Sequence, residues 1–208
     1  MLTLSVYCAS AASTDTLIHQ LEDRYNKART LSLHFEEDFS LQGHRRPPES
    51  GILTLRKQGK MRWDYTQPAG KLFISDGKTV YLYTAADNRV EKIPVRDTAD
   101  MRAPMAFLLG HLDLKKEFRD FTSRPGEGGT WLEAKAKSDR APYETLALLV
   151  AESGAVGRMR VMGKDGSELS FVFQGERLNP PIDDKLFHFA IPAGAEVVNA
   201  VEFSGEGK

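Results

Sequence analysis

The stretch that decides the fold is Gly51-Ile52-Leu53-Thr54-Leu55, continuing to Met61-Arg62-Trp63-Asp64-Tyr65 and Phe73-Ile74-Ser75-Asp76-Gly77-Lys78. Leu53/Leu55, Met61/Trp63/Tyr65 and Phe73 fall on alternating positions, the period-two pattern of strands with one apolar face. Asp76-Gly77 marks a tight turn, because glycine tolerates the positive φ such turns need. Three consecutive antiparallel strands with large apolar side chains on one face require a cover, and the nature of that cover is the functional question.

Outward from this core the same alternation recurs. Thr14 to Thr30 has helical spacing at Leu17, Leu21, Tyr25 and Ala28, with Thr14 or Asp15 as N-cap. Leu31 to Leu41 switches to period two. Further strands are read at 79–83, 90–95, 131–136, 145–151, 156–162 and 169–173, with Lys164-Asp165-Gly166 as another hairpin turn. Ala103 to Gly110 reads as a short, very apolar helix opened by Pro104. Pro181 to Lys185 reads as a helical turn and Phe187-His188-Phe189 as a closing strand. So many strands on short turns, with helices segregated from them, define an α+β plan: one strongly curved antiparallel sheet covered by helices on one side. A strand run of this length is expected to curl into a partial barrel.

The chain of 208 residues fits one domain, with a formal net charge of −1, so no global field recruits nucleic acid or an anionic membrane. A single cysteine, Cys8, excludes an internal disulfide framework. It lies in residues 1–13, an apolar stretch ending in Ala9-Ser10-Ala11 that reads as the remnant of an export signal, leaving 14–208 as the domain. Tyr7 is bulky where a lipidation motif needs a small residue before the cysteine.

Catalytic chemistry finds no foothold. The histidines His19, His34, His44, His111 and His188 are scattered without metal-ligand spacing, so no metal and no cofactor is expected. There is no G-x-S-x-G elbow, and the glycine clusters at 126–129 and 154–157 lack the strand-to-helix context of a phosphate loop. Glu36-Glu37 and Asp183-Asp184 are neighbours whose side chains point apart in a strand and are expected to be solvated. An enzyme is not expected.

The order of the motifs resembles a known family. Leu31-Ser32-Leu33-His34-Phe35, Gly51-Ile52-Leu53, Met61 to Pro68, Ile74 to Tyr83, Pro104 to Gly110 and Leu186 to Gly194 match, in register, the periplasmic lipoprotein carriers of the LolA family. The resemblance implies an incompletely closed β-barrel whose helices form a lid over an apolar cavity for lipoprotein acyl chains. It implies Leu33, Phe35, Leu53, Leu55, Met61, Trp63 and Phe171 as cavity lining, although alternation alone leaves a filled core equally open. Met105, Phe107, Leu108 and Leu109 map onto the lid. Implied partners are acylated lipoproteins, an inner-membrane lipoprotein-releasing ABC transporter and an outer-membrane acceptor lipoprotein, met by a monomer in the periplasm. Two other readings share the fold: a carrier of another lipid, such as a glycolipid or polyene product, and a periplasmic sensor or interaction module.

One departure bears on the lid. Where the family carries an Arg-Pro pair after the Gly51 strand, this chain has Lys57-Gln58. In the family that arginine is thought to hold lid-helix carbonyls. Lysine keeps the charge without the forked donor set, so Lys57 is a candidate latch of looser grip. Arg56 is expected to point to the opposite face of its strand.

Overall fold

The computed structural model describes residues 13–95 and 112–199. Among them, thirteen strands form one sheet that curves without closing. Helix α1 (Thr14–Lys27) is capped by Ser13, whose side chain accepts from the Thr16 amide, one residue earlier than the cap expected at Thr14 or Asp15. β1 (Thr30–Leu41) follows, with the short β2 (His44–Arg45) paired to its end. A meander β3 (Glu49–Arg56), β4 (Lys60–Gln67), β5 (Ala69–Asp76), β6 (Thr79–Thr84) and β7 (Arg89–Pro94) builds one half. After the single turn α2 (Leu114–Glu117), β8 (Phe118–Gly126), β9 (Gly129–Ala136), β10 (Tyr143–Val150), β11 (Val156–Gly163) and β12 (Ser167–Leu178) build the other. The halves join where β12 pairs with β1, and the short β13 (Glu196–Asn199) adds to β7 in parallel.

Two glycines set local geometry. Gly77 takes φ 93° in the β5–β6 turn, where the Asp76 carboxylate accepts from the amides of Lys78 and Thr79. Gly51 sits opposite Tyr65 beside a register shift, and a Cβ there would stand 2.1 Å from the Asp64 carbonyl oxygen. Its bare position lets Phe35 and Tyr65 meet edge to face across it, centroids 5.2 Å apart.

The sheet has two unlike faces. Register pairs align Leu31, Leu33 and Phe35 with Leu53, Leu55, Met61, Trp63 and Phe73 on the inward face. From the other half come Phe171, Phe173, Met159, Val161, Leu146, Leu148 and Leu132. α1 lies on this face, and its Leu17, Ile18, Leu21 and Tyr25 join the same buried cluster.

The outward face carries a strap formed by the chain after β12. Thr30 Oγ1 donates to the Pro180 carbonyl (2.8 Å), Arg56 to the Ile182 carbonyl (3.1 Å) and Arg62 to the Leu186 carbonyl (3.1 Å). Arg56 therefore points outward, as its place in β3 implies. Lys60 pairs with Asp184 at 2.8 Å, in the 3-10 turn Asp184–Phe187. This ion pair, with its hydrogen bond, holds the exposed Asp184 carboxyl below the usual carboxylate range. The residues Phe187-His188-Phe189 do not form the closing strand expected of them. The turn ends at Phe187, and no strand pairs with the two residues that follow. The alternation is real, but it serves docking: Phe187 is buried, His188 is exposed, and the Phe189 ring packs on Tyr81 and Tyr83. Outward-facing Ile74 is fully buried on β5, against which the turn packs.

Three strands have no counterpart in the sequence pattern: the two-residue β2, β8 and β13. β8 breaks its own alternation at Asp120, which has φ 55° at a register shift, and it carries Pro125. β13 is four residues long at an edge. The helix read at 103–110, with Met105, Phe107, Leu108 and Leu109, lies outside the described residues, as do Cys8 and His111.

Phe187 anchors the strap from beneath. Phe187→Ala is expected to cost about 3–5 kcal/mol by loss of burial and the cavity left behind. Urea denaturation with an unchanged m-value checks this, and a loss under 1 kcal/mol would mean the strap is not docked there.

Candidate functional site

The candidate site is the inward face beneath α1. Leu33, Phe35, Leu53, Leu55, Met61, Trp63 and Phe171 all project onto it, and the most exposed of them, Met61, is only 7% exposed. Trp63 lies at its centre, with the Phe35 ring edge-on at 4.8 Å and the Phe171 ring at 5.5 Å. The seven are brought together as the sequence implies, and in this structure they pack as core against α1.

Trp63 brings one polar atom into this setting. Its indole nitrogen is buried and has no hydrogen-bond partner among the described residues. The Phe35 and Phe171 rings that pack on it are at best weak acceptors. A buried donor left unmade costs about 1–3 kcal/mol. Ser75, opposite Met61, is also buried on this face and donates to the Gly59 carbonyl (2.9 Å), and further polar groups gather at the far end. There Tyr65 donates to Glu37 (3.3 Å), Lys71 pairs with Glu49, and the Lys71 ammonium sits 4.3 Å over the Tyr65 ring. Glu37 is thus buried at 4% exposure, against the expectation that Glu36 and Glu37 are both solvated. Alternation puts one of any neighbouring pair inward, and here the inward one is the carboxylate that meets Tyr65.

Polar bonds fasten α1 mostly at its C-terminal end. Lys57, just past β3, donates from Nζ to the Asn26 carbonyl at 2.7 Å, so it holds a last-turn carbonyl of α1. A cation there also suits the negative end of the helix dipole. Asn26 exchanges two hydrogen bonds with the backbone of Leu112, at 2.9 and 2.6 Å. Tyr25 donates to Glu176 (2.7 Å) and accepts from the Val156 amide (3.0 Å), while Arg24 forks onto Glu176 through Nε (3.1 Å) and Nη2. At the other end the contacts are lighter: Thr14 with Ser123 (2.9 Å), and Lys115 with Asp15 (2.7 Å), the latter pair exposed. The Tyr25–Glu176 link was not legible in the sequence, since the two lie 151 residues apart.

Burial, then the Glu176 charge and hydrogen bond, push the Tyr25 hydroxyl well above the ordinary tyrosine range. The folded chain thus holds this proton more tightly than the unfolded chain, where it leaves near pH ~10. The stabilisation is complete below that pH and is lost as pH rises beyond it. Tyr25→Phe is expected to cost about 1–3 kcal/mol at pH 7 by stranding polar partners. It should also flatten the decline of stability above pH ~10. Urea unfolding from pH 7 to 11 tests both, and an unaltered slope would contradict the assignment.

Comparison with known proteins accords with this architecture. A family model described as "Outer membrane lipoprotein carrier protein LolA" matches residues 26–190. A protein of Dechloromonas aromatica named outer-membrane lipoprotein carrier protein is 28% identical over 184 residues, covering 87% of this chain and 86% of that one. A Cupriavidus necator protein of the same name is 31% identical over 149 residues, covering 72% and 70%. The crystal structure of an uncharacterized conserved protein from Thermus thermophilus superposes with a TM-score of 0.50 at 13% identity, over 90% of this chain and 99% of that one, a likeness of fold alone. With more than half of its length under the family model, this chain belongs to the LolA family of outer-membrane lipoprotein carrier proteins.

Proposed function

We propose that this protein is a periplasmic carrier that takes the acyl chains of lipoproteins onto its inward face and shuttles them from inner to outer membrane. The observation that carries the reading is the continuous apolar inward face, spanning both halves of the sheet and covered by a helix fastened mainly at one end. Reading the apolar stretch that precedes α1 as the remnant of an export signal supports a periplasmic location. On this reading an inner-membrane lipoprotein-releasing ABC transporter loads the carrier and an outer-membrane acceptor lipoprotein unloads it.

The magnitudes suit exchange. A sixteen-carbon chain gains on the order of 10 kcal/mol on leaving water. Burial of four side chains of α1 contributes roughly 1.5–3 kcal/mol each. Cover and one acyl chain are therefore of comparable strength, so cargo competing with the helix for one surface binds with only the difference. Lys57 serves as the latch by setting how readily α1 lifts. Leu33, Phe35, Leu53, Leu55, Met61, Trp63 and Phe171 are the surface the acyl chains then meet.

Native mass spectrometry with lipid extraction, on protein from a periplasmic fraction, tests the function. Recovery of triacylated lipoprotein is expected with the wild type and its loss with Trp63→Glu. A different lipid would move the cargo to another class, and an empty protein indifferent to added lipopeptide would sink the carrier reading. For the latch, Lys57→Met is expected to raise the off-rate of a fluorescent lipopeptide severalfold while Lys57→Arg lowers it. Equal off-rates in stopped-flow exchange would remove Lys57 from the mechanism.

A further inference from the structure

A cavity lies on the side of the sheet opposite the inward face, beneath the strap. It has a volume of about 610 Å³ and is lined by Ser32, Thr54, Arg62 and Arg177 from the sheet and by residues of the strap. The four sheet residues form one cross-strand row. Arg177 of β12 faces Ser32 of β1, Ser32 faces Thr54 of β3, and Thr54 faces Arg62 of β4. At the usual strand spacing the row runs ~14 Å, with guanidinium groups at its ends and hydroxyls between them.

The two hydroxyls are the telling feature. Ser32 is 8% exposed and Thr54 6%, yet neither side chain makes a hydrogen bond among the described residues, and both line the cavity. Their backbones are buried while their hydroxyls open onto the cavity, where they are free to donate to a bound acceptor. At the cavity's edge Arg177 and Lys185 are exposed and form no ion pair among the described residues. Arg62 is held in place by Asp64 and by the Leu186 carbonyl. Asp183, the lining carboxylate, is committed to capping the 3-10 turn through the Lys185 amide (3.0 Å). Pro180, Pro181, Ile182 and Leu186 give the strap side an aliphatic wall.

We infer that this groove binds a phosphate-bearing amphiphile, its phosphate oxygens taken by Ser32, Thr54 and Arg177 and its aliphatic part lying along the strap. Hydroxyls flanked by guanidinium suit an anion with several acceptor oxygens. The volume falls in the range of small-molecule sites, roughly 300–1,000 Å³. The site lies on the face opposite the proposed acyl-chain surface, and its existence does not depend on the carrier reading.

Dihexanoyl phosphatidate, inorganic phosphate and phosphatidylglycerol vesicles are the probes, tested on the full chain by isothermal titration, with amide shift mapping for the two soluble ones. The soluble lipid is expected to perturb the amides of residues 32, 54 and 177 and to bind at least tenfold more tightly than inorganic phosphate. Arg177→Gln, at an exposed position, and Ser32→Ala with Thr54→Val should each weaken it about tenfold without a change in melting temperature. Binding to vesicles alone, lost in Arg177→Gln, would also support the site and place its ligand at a membrane surface. Shifts confined to the inward face, affinity untouched by Arg177→Gln, or equal affinity for inorganic phosphate would overturn it.

Discussion

The structure depends on covering one apolar face. A curved sheet whose inward side carries Leu33, Phe35, Leu53, Trp63 and Phe171 cannot leave that side in water, because each such side chain costs roughly 1.5–3 kcal/mol to expose. α1 supplies cover with four side chains, and the polar contacts of the region hold that helix where it is needed. Fastening is concentrated at the C-terminal turns, through Lys57, Asn26, Tyr25 and Arg24. The N-terminal turn is tied by one exposed ion pair, which contributes little, and by the half-buried Thr14–Ser123 hydrogen bond. A cover anchored at one end has the mechanical form of a flap, the form a carrier needs if its apolar face is to be offered and hidden in turn.

The opposite face obeys a different logic. There the strap spans strands of one half and ends by adding β13 to the edge of β7, which blunts an edge otherwise open to pairing. Its polar staples come from alternate residues of β3 and β4, Arg56, Lys60 and Arg62, whose neighbours Leu55, Met61 and Trp63 face inward. Period two thus lets one short stretch of chain build a greasy interior and a polar seat for the strap together.

Much of this was legible in the sequence because it rests on local alternation. The strands from Gly51 to Thr84, the first helix, and the shared face of Leu53, Trp63 and Phe73 follow from spacing alone. What was not legible depends on contacts between distant residues or on broken alternation. Tyr25 meets Glu176 only after folding, Glu37 turns inward although a neighbouring carboxylate does not, and β8 conceals its period at Asp120. Phe187-His188-Phe189 has a strand's alternation without a strand's partner, since side-chain period reports which way residues face and not whether the backbone is paired. Ser32 and Thr54 gave no signal either, because small hydroxyl residues between apolar ones look like any outward strand position.

The chain has two tryptophans, Trp63 on the inward face and Trp131 on the outward, and this makes a direct measurement available. In a Trp131→Phe background, Trp63 is the sole indole fluorophore, and a triacylated lipopeptide with brominated acyl chains quenches by contact. Saturating lipopeptide is expected to quench most of the Trp63 emission, and to leave Trp131 unquenched in the reciprocal Trp63→Phe variant. Binding that leaves Trp63 as bright as before would mean that the acyl chains lie elsewhere and that the inward face is simply a core.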